Sequence, residues 1–301
     1  MKDGPDGIVL DIQRFTTWAG PGIRTTVFLK GCALRCPWCC NPEGWDPQPE
    51  ILFRELKCSR CGDCLAVCPV PGAIDLSAPG LINRKICTRC LQCVDACRYK
   101  ALLPVGSKLT VAEVMDEVLR DSLFYFNSKG GLTVSGGEPL FQADFTAALF
   151  QEARRYGLHT CLDTSGYAPP ENLEKVLPHV DLVLYDVKHT NAARHHRKLG
   201  VPNWLILDNL RKIAGSVEII LSAPLVPGFN DAGDFIQELG QLACSLGIRE
   251  VHLLPYHGMG EPKYRMLGRL MKFEAQAIDT GKLENFQQQL EARGLLVDIG
   301  G

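Results

Sequence analysis

The spacing of the cysteines constrains the fold of this chain more than any other feature of its sequence. The chain has 14 cysteines in 301 residues. Eleven of them fall in three tight arrays, and the three others stand outside these arrays: the arrays are 32–39, 58–68 and 87–97, and the others are Cys40, Cys161 and Cys244. Closely spaced thiols in a reducing compartment indicate metal ligation and not disulfides. We therefore expect these segments to fold around inorganic centres.

The first array, Cys32-x3-Cys36-x2-Cys39, lies in a loop that spans residues 31–44. It offers three thiolates, whereas a [4Fe–4S] cluster normally takes four from the protein. Three ligands would leave one iron open to a molecule that is not the protein. Zinc is the alternative, but it needs a fourth close Cys or His. Cys40 directly follows Cys39 and is badly placed for the same ion, so the spacing favours a cluster with an open iron.

The second and third arrays form an internal repeat with a period of about 29 residues. Each copy reads Cys-x2-Cys-x2-Cys-x3-Cys, the bacterial ferredoxin pattern, in which the fourth cysteine of one copy binds the other cluster. A pair of zinc knuckles is the alternative. We assign one [4Fe–4S] cluster to Cys58, Cys61, Cys64 and Cys97, and another to Cys87, Cys90, Cys93 and Cys68.

Outside the repeat, the hydrophobic pattern predicts strands that alternate with amphipathic helices. The predicted strands are 8–15, 25–29, 132–135, 159–164, 181–187, 217–221, 251–254 and 295–299. Helices are predicted after the capping box Thr110-x-x-Glu113, before Gly157, at 231–246 and at 282–292. This alternation is typical of parallel β/α architecture. We predict an α/β fold, a partial (β/α)6-type barrel formed by residues 1–52 and 105–301, with a bacterial-ferredoxin-like domain inserted at 53–104.

Polar residues follow several predicted strands, where a β/α barrel carries its chemistry. After one strand, Gly136 and Gly137 allow a ligand to approach the backbone, and Glu138 can hold an ammonium group. The carboxylates in the segments 163–164 and 186–188 can bind a cation or sugar hydroxyls, and His257 follows the last long strand. Ordinary turns, helix capping and surface hydrogen bonds are the alternatives for each segment taken alone. Their convergence on one edge of the barrel favours a binding site.

The bulk properties exclude several classes of protein. The net charge is −2 and 46% of the residues are hydrophobic, which argues against a disordered chain or a general nucleic-acid binder. The sequence has no apolar run long enough for a membrane helix and no signal segment at its N-terminus. We expect a cytoplasmic monomer that binds neither nucleic acid nor membrane.

With these motifs, the chain resembles the radical S-adenosylmethionine (SAM) superfamily, and within it the activating enzymes of glycyl radical enzymes. The ferredoxin-like insert resembles the larger activating enzymes and is absent from the short pyruvate formate-lyase type. The resemblance implies reductive cleavage of SAM to methionine and a 5′-deoxyadenosyl radical, which takes hydrogen from a backbone glycine of a partner enzyme. The segments that carry it are 13–15, 20–25, 31–43, 136–139, 224–230 and 254–264.

The resemblance also implies roles for individual residues. The cluster on Cys32, Cys36 and Cys39 would bind the amino and carboxylate groups of SAM, and Lys188 would act with it. Two departures from the family matter: Cys40 stands where relatives have Gly-His or Gly-Ala contexts, and Ser222 stands where many have arginine. Lys188 would then carry more of the SAM carboxylate binding.

The remaining implied contacts are with the cofactor and with a monovalent cation. Trp38 and the backbone through Cys40 would border the adenine, and the methionine amino group would be received by Gly136, Gly137 and Glu138. Asp186 and Lys188 would contact ribose and carboxylate, Val187 is counted with these cofactor-binding residues, and His257 would close the pocket. A monovalent-cation site is matched by Asp163, Thr164 and Asp186.

Two other functions stay open at this point: a radical SAM enzyme acting on a small molecule, and an iron–sulfur electron-transfer protein. The clusters of the insert either relay electrons or serve only to hold its fold together. Between Lys57 and Lys100 the insert carries seven basic residues against three acidic ones. We predict that this basic surface, which includes Arg84 and Lys85, docks an acidic flavodoxin or ferredoxin, ordinary solvation being the alternative.

Overall fold

The computed structural model describes residues 4–271, 273 and 277–300. Its eleven strands are β1 (Asp6–Thr16), β2 (Arg24–Leu29), β3 (Glu50–Phe53), β4 (Leu102–Val105), β5 (Ser107–Thr110), β6 (Gly131–Gly136), β7 (His159–Thr164), β8 (Leu182–Asp186), β9 (Glu218–Leu225), β10 (Glu250–Pro255) and β11 (Leu296–Ile299). The helices are α1 (Asp63–Ala66), α2 (Gln92–Asp95), α3 (Val111–Val118), α4 (Ser122–Ser128), α5 (Ala143–Arg155), α6 (Pro170–Val176), α7 (Ala192–Leu199), α8 (Trp204–Ile213), α9 (Gly233–Ser245), α10 (Glu261–Met266) and α11 (Thr280–Glu291).

Nine strands form one sheet in the order β11-β10-β9-β8-β7-β6-β2-β1-β5. The six strands β2 and β6 to β10 run parallel, and β11 extends them in the same direction. The predicted α/β architecture is therefore confirmed. β1 differs, because it runs antiparallel to β2. Only a short loop joins these two strands, and parallel neighbours need a crossover of a dozen or more residues.

The two faces of this sheet have different surroundings. Outward residues such as Val27, Val134 and Val183 pack against the helices in the main hydrophobic core. The inner face has a smaller apolar cluster of Cys161, Leu182, Leu184 and Ile220. Because side chains alternate along a strand, the next inward positions after three of these residues are Asp163, Asp186 and Ser222. Polar groups are thereby collected at the carboxyl ends of the parallel strands.

The opposite end of the barrel interior is closed by Arg24. Its side chain is fully buried, and it donates to Thr133 Oγ1 (2.6 Å), Leu132 O (2.8 Å) and Pro21 O (2.9 Å). These neutral acceptors satisfy a guanidinium that would otherwise be costly to bury. Access to the interior is therefore restricted at this end.

The insert leaves and rejoins the barrel through a two-stranded ribbon. β3 and β4 pair antiparallel, from Glu50 opposite Val105 to Phe53 opposite Leu102. The insert has its own core, in which Phe53, Ile74 and Leu81 pack with cysteines of both copies. The predicted domain limits, 53 and 104, fall inside the two ribbon strands.

The confirmed capping box starts α3: Thr110 Oγ1 accepts from Glu113 N (3.2 Å), and Glu113 accepts from Thr110 N (2.8 Å). α5 is followed by Gly157 at φ 70°, as the sequence predicts for a helix end. Of all the helices in the described parts of the chain, none has the length and hydrophobicity that crossing a bilayer requires.

Candidate active site at the carboxyl ends of the strands

The cysteine loop, residues 31–44, leaves β2 and lies over the carboxyl ends of the strands. Backbone hydrogen bonds hold its base: Gly137 N donates to Leu29 O (2.8 Å), Glu138 N to Gly31 O (2.7 Å), and Gly31 N to Gly44 O (2.8 Å). Gly137 fits closely against the loop, because a Cβ at this position would lie 2.5 Å from the carbonyl oxygens of Gly31 and Gly44. The segment 136–138 therefore positions the cysteine loop through its backbone.

The three thiols of this loop face one another in a buried environment. Cys36 is buried, and Cys32 and Cys39 are half-buried. Burial raises the pKa of Cys32 to about 12 and that of Cys39 to about 11, and it raises the pKa of Cys36 further. Buried thiols of this kind ionise only beside positive charge, which a metal centre supplies. Soft thiolate donors suit an iron–sulfur cluster.

Among the described residues, no three His, Cys, Asp or Glu side chains are arranged around a single metal ion. A cubane cluster binds each thiolate at a different iron, so its ligands need not converge on one point. The donor set of the cysteine loop is therefore compatible with such a cluster.

Lys188 places a positive charge between the cysteine loop and the end of β8. Its ammonium lies 2.5 Å from Asp186 Oδ2, and both side chains are largely buried. Burial alone lowers the pKa of Lys188, but Asp186 and the Cys36 thiol together raise it overall. Asn230 fixes the backbone here by donating to Lys188 O (2.9 Å) and Pro224 O (2.7 Å). Lys188 is thus a permanent cation facing the thiols, suited to an anionic group.

Glu138 is turned into the protein. Its carboxylate accepts hydrogen bonds from Leu140 N (3.1 Å), Thr164 Oγ1 (2.5 Å), Ser165 N (3.0 Å) and Ser165 Oγ (2.6 Å). Burial raises its pKa, and the bonds from Ser165 and Thr164 oppose that shift. A carboxylate has about four acceptor positions, so all of them are used. Glu138 therefore ties the end of β6 to the end of β7 and has no free oxygen for an ammonium group.

The residues of the predicted cation site are only partly brought together. Asp163 and Asp186 approach each other on the inner face, and burial followed by repulsion from Asp186 raises the pKa of Asp163 to about 7. Asp163 Oδ2 accepts from Ser135 Oγ (2.6 Å). The Thr164 hydroxyl instead donates to Glu138, and the Val187 side chain is buried in the outer core. A bound cation would relieve the repulsion between these two crowded carboxylates.

Trp38, Cys40 and His257 lie at the rim of the site. Trp38 is buried, with its ring centroid 4.8 Å from that of Phe229 and 5.6 Å from that of Phe273. Cys40 Sγ lies 3.7 Å from His257 Nε2, and His257 is exposed. The structure thus brings Cys40 and His257 together, 217 residues apart in sequence.

A segment that we call the C-terminal clamp, residues 260–269, contacts the outer side of the cysteine loop. Lys263 Nζ bonds Asn41 Oδ1 (2.7 Å) and pairs with Glu43 Oε1 (2.6 Å). Tyr264 donates its hydroxyl to Pro37 O (3.3 Å). These contacts were missed at the sequence level, although Lys263 and Tyr264 lie within the segments that carry the family resemblance.

Below the clamp, two basic residues share one carboxylate. Arg269 pairs with Glu50 Oε1 (2.7 Å) and also donates to Pro42 O, while Lys30 lies 3.3 Å from Glu50 Oε2. Lys30 is fully buried and directly follows the apolar end of β2, Val27 to Leu29. That position was a usable signal, because a lysine is almost never fully buried without a partner.

The cysteines of the insert fall into two groups. Cys97 lines one pocket together with Cys58, Cys61 and Cys64. Cys93 interacts electrostatically with Cys87, Cys90 and Cys68, and also with Cys64 of the first group. Each group thus includes a cysteine from the other copy of the repeat.

The insert is attached to the barrel beside the second group. Arg84 Nη2 donates to Met266 O (3.0 Å), and Arg89 forms two bonds of 2.7 Å with Asp46. Cys87 shares a pocket with Arg84, Arg89 and Glu50. These two arginines therefore hold the insert against the barrel and are not free for an external partner.

Comparison with known families gives three sequence-profile matches. The Radical SAM superfamily profile matches residues 88–239. A 4Fe-4S dicluster domain matches residues 50–98, and a 4Fe-4S single cluster domain matches residues 18–72.

Several relatives match nearly the whole chain. The isethionate sulfite-lyase activating enzyme of Nitratidesulfovibrio vulgaris is 42% identical over 87% of this chain and 88% of its own. The (2S)-3-sulfopropanediol dehydratase activating enzyme of Klebsiella oxytoca is 40% identical over 96% of this chain and 94% of its own. The benzylsuccinate synthase activating enzyme of Thauera aromatica is 40% identical over 98% of this chain and 92% of its own. Among solved structures, Streptococcus suis SuiB shares the fold, with a TM-score of 0.50 and 12% identity over 64% of this chain and 44% of that one.

Proposed function

This chain belongs to the radical SAM superfamily and, within it, to the activating enzymes of glycyl radical enzymes, and we propose a division of that activity among its residues. When bound, a [4Fe–4S] cluster held by the cysteine loop would supply the electron for cleavage of SAM into methionine and a 5′-deoxyadenosyl radical, and this radical would take a hydrogen atom from a glycine of the partner. Of the three functions that the sequence left open, this is the one that the relatives confirm.

In this proposal, Cys32, Cys36 and Cys39 hold the cluster at which SAM is cleaved. One observation carries the assignment: three mutually close thiols, one buried and two half-buried, face the Lys188–Asp186 pair at the carboxyl ends of the strands. Lys188 binds the carboxylate of SAM, because Ser222 carries no charge that could attract it. Asp186 accepts hydrogen bonds from the ribose hydroxyls. A positive group fixed beside the reaction centre orients the substrate before the chemical step.

The other contacts of SAM are proposed with one change of role. Since all acceptor positions of Glu138 are used, we assign the methionine amino group to the backbone carbonyl oxygens of Gly136 and Gly137. Glu138 then acts as a positioning residue. The rim formed by Trp38, Cys40 and His257 borders the adenine, and the crowded pair Asp163 and Asp186 takes a monovalent cation.

The partner is a glycyl radical enzyme, and we propose one that acts on an organosulfonate as the first candidate. Four of the relatives activate enzymes of that type and are 40–42% identical, whereas one benzylsuccinate synthase activating enzyme is 40% identical. Anaerobic, reduced enzyme incubated with SAM and a panel of glycyl radical enzymes should produce 5′-deoxyadenosine and a protein-radical EPR signal. The panel contains isethionate sulfite-lyase, sulfopropanediol dehydratase and benzylsuccinate synthase.

The matched control for this experiment is each partner with its radical glycine replaced by alanine, which should give no signal. A signal only with benzylsuccinate synthase would contradict the proposed partner type. SAM cleavage without a signal from any panel member would contradict the proposal that the partner lies among these classes.

We further propose that the insert holds two [4Fe–4S] clusters, giving three per chain, and that it receives electrons from flavodoxin or ferredoxin. The dicluster-domain match and the two cysteine groups support this number. Because Cys87 adjoins the barrel, its group is proposed to stand between the other group and the site of SAM cleavage. The residues proposed to dock the donor are the exposed Lys57 and Lys100, next to the Cys58 and Cys97 ends of the first group.

Reversing these two charges tests the donor surface. The double variant Lys57→Glu, Lys100→Glu is expected to slow reduction by flavodoxin about tenfold at low ionic strength, because steering depends on charge complementarity. Stopped-flow absorbance would follow the reduction. Dithionite should reduce the variant at the normal rate, and Lys212→Glu, an exposed charge reversal on α8, should change neither rate. Equal slowing with both reductants would contradict a docking role.

A further inference from the structure

Trp45 stands at the end of the cysteine loop with its ring enclosed by charged and aromatic side chains. The guanidinium carbons of Arg35 and Arg269 lie 5.6 and 5.2 Å from the ring centroid. Tyr264 meets the ring edge-on, with a centroid distance of 5.6 Å and an interplanar angle of 83°. These contacts leave the indole little freedom to rotate.

The indole N–H of Trp45 is buried and makes no hydrogen bond of normal geometry within the described residues. Trp45 lies directly against the cysteine loop, because its carbonyl oxygen accepts from Cys32 N (3.2 Å), and its indole interacts with the side chain of Cys39. A neutral thiol is a weak acceptor, whereas a metal-bound thiolate carries negative charge and is a much better one. Buried indole donors usually have a partner.

We propose that Trp45 is a positioning residue that donates its indole N–H to the Cys39 thiolate of the bound cluster. This inference rests on the proposed function, since it needs Cys39 as a cluster ligand. A hydrogen bond to a ligand sulfur stabilises the more negative, reduced cluster and therefore raises its reduction potential. The two flanking guanidinium groups strengthen the donor by drawing electron density from the indole.

The orientation of Trp45 is linked to the insert through the next residue. Asp46 holds Arg89 by two bonds of 2.7 Å. The same short segment therefore contacts the Cys39 thiol with one residue and the insert with the next. Docking of the insert helps to fix the indole in the orientation that reaches the sulfur.

The test removes the N–H and measures the cluster directly. Two variants of the full-length, cluster-loaded enzyme are compared with the parent: Trp45→Phe, and replacement of Trp45 by β-(3-benzothienyl)alanine, which keeps the bicyclic shape. An EPR-monitored redox titration without SAM would give the reduction potentials of the clusters. The relevant cluster is the one whose EPR signal changes when SAM is added afterwards. We expect the reduced-to-oxidised ratio at a fixed potential to fall three- to tenfold, a tenfold fall being a downward shift of about 59 mV.

A second readout identifies the atom. In protein labelled with indole-¹⁵N tryptophan, pulsed EPR of the reduced cluster should show a nitrogen coupling that both variants lose. Trp204→Phe is the matched control, because it removes an exposed indole outside the cysteine loop, at the start of α8, and should preserve both the coupling and the potential. An unchanged potential and coupling in both Trp45 variants would overturn the inference.

A separate variant distinguishes failure of the inference from failure of the proposed function. Cys39→Ala should eliminate the SAM-responsive EPR signal. Loss of this signal would support Cys39 as a cluster ligand, on which the inference depends. If Cys39→Ala kept that signal, the proposed cluster ligands and the role of Trp45 would both be wrong. If the signal disappeared while the Trp45 variants behaved like the parent, only the role of Trp45 would be wrong.

Discussion

Replacement of Cys36 by alanine is expected to abolish SAM cleavage and to remove one cluster in three, from about 12 to about 8 irons per chain. Cys36 is the most deeply buried thiol of the cysteine loop, and its neighbours Leu34 and Trp38 are buried with it. Water therefore cannot easily replace the missing ligand. Iron and labile sulfide analysis of anaerobically purified protein would measure the loss, and 5′-deoxyadenosine formation would report activity.

A matched cysteine control is available on α9. Cys244 is exposed, and its thiol donates to Arg293 O at 3.9 Å. Cys244→Ser should keep the full iron content and full activity, since it lies outside every cysteine array. A Cys36→Ala protein with undiminished iron would show that the cysteine loop does not hold a cluster in the proposed way.

Replacement of Glu138 by glutamine is expected to lower the free energy of unfolding by about 3 kcal/mol, as when one member of a buried polar network is removed. An amide offers one oxygen where the carboxylate has two. Its NH2 group would face Ser165, whose backbone N–H and hydroxyl both donate to Glu138. We also expect SAM binding to be lost, because Glu138 holds the ends of β6 and β7 together beneath the site.

Thermal denaturation of the cluster-loaded enzyme would measure this change, with an expected fall in Tm of about 5–10 °C. Glu113→Gln is the matched control, because Glu113 is exposed and glutamine also completes a capping box. Its effect should stay below about 1 kcal/mol. If Glu138→Gln had normal stability but no SAM binding, Glu138 would contact the ligand itself, contrary to the role proposed here.

The strands could be predicted because their signal is local. In β7 and β8 an apolar run ends at a carboxylate, and the structure has both strands within a residue of the prediction. The direction of β1 could not be read from its alternation, because parallel and antiparallel strands alternate in the same way. The short helices α6 and α10 were also missed, since each is only one or two turns long and begins near prolines.

The site was harder to predict because its contacts join distant parts of the chain. Lys263 reaches Asn41 across 222 residues, and Arg84 reaches Met266 across 182. No local pattern marks such pairs, so Arg84 looked like a free surface charge in the sequence. Glu138 shows the same limit: its motif marked it as functional, but only its partners Thr164 and Ser165 reveal that its carboxylate faces inward.

The ribbon of β3 and β4 has a consequence for how such enzymes arise and diversify. The two ends of the insert are adjacent and paired in register, from Glu50 opposite Val105 to Phe53 opposite Leu102. Antiparallel neighbours can be joined by a two-residue turn, so everything between Phe53 and Leu102 is replaceable by a simple hairpin without moving β2 or β5. Glu50 would still neutralise Lys30 and Arg269 at the base. A gene could thus gain or lose the whole module in a single recombination event, while the barrel beneath it kept its shape.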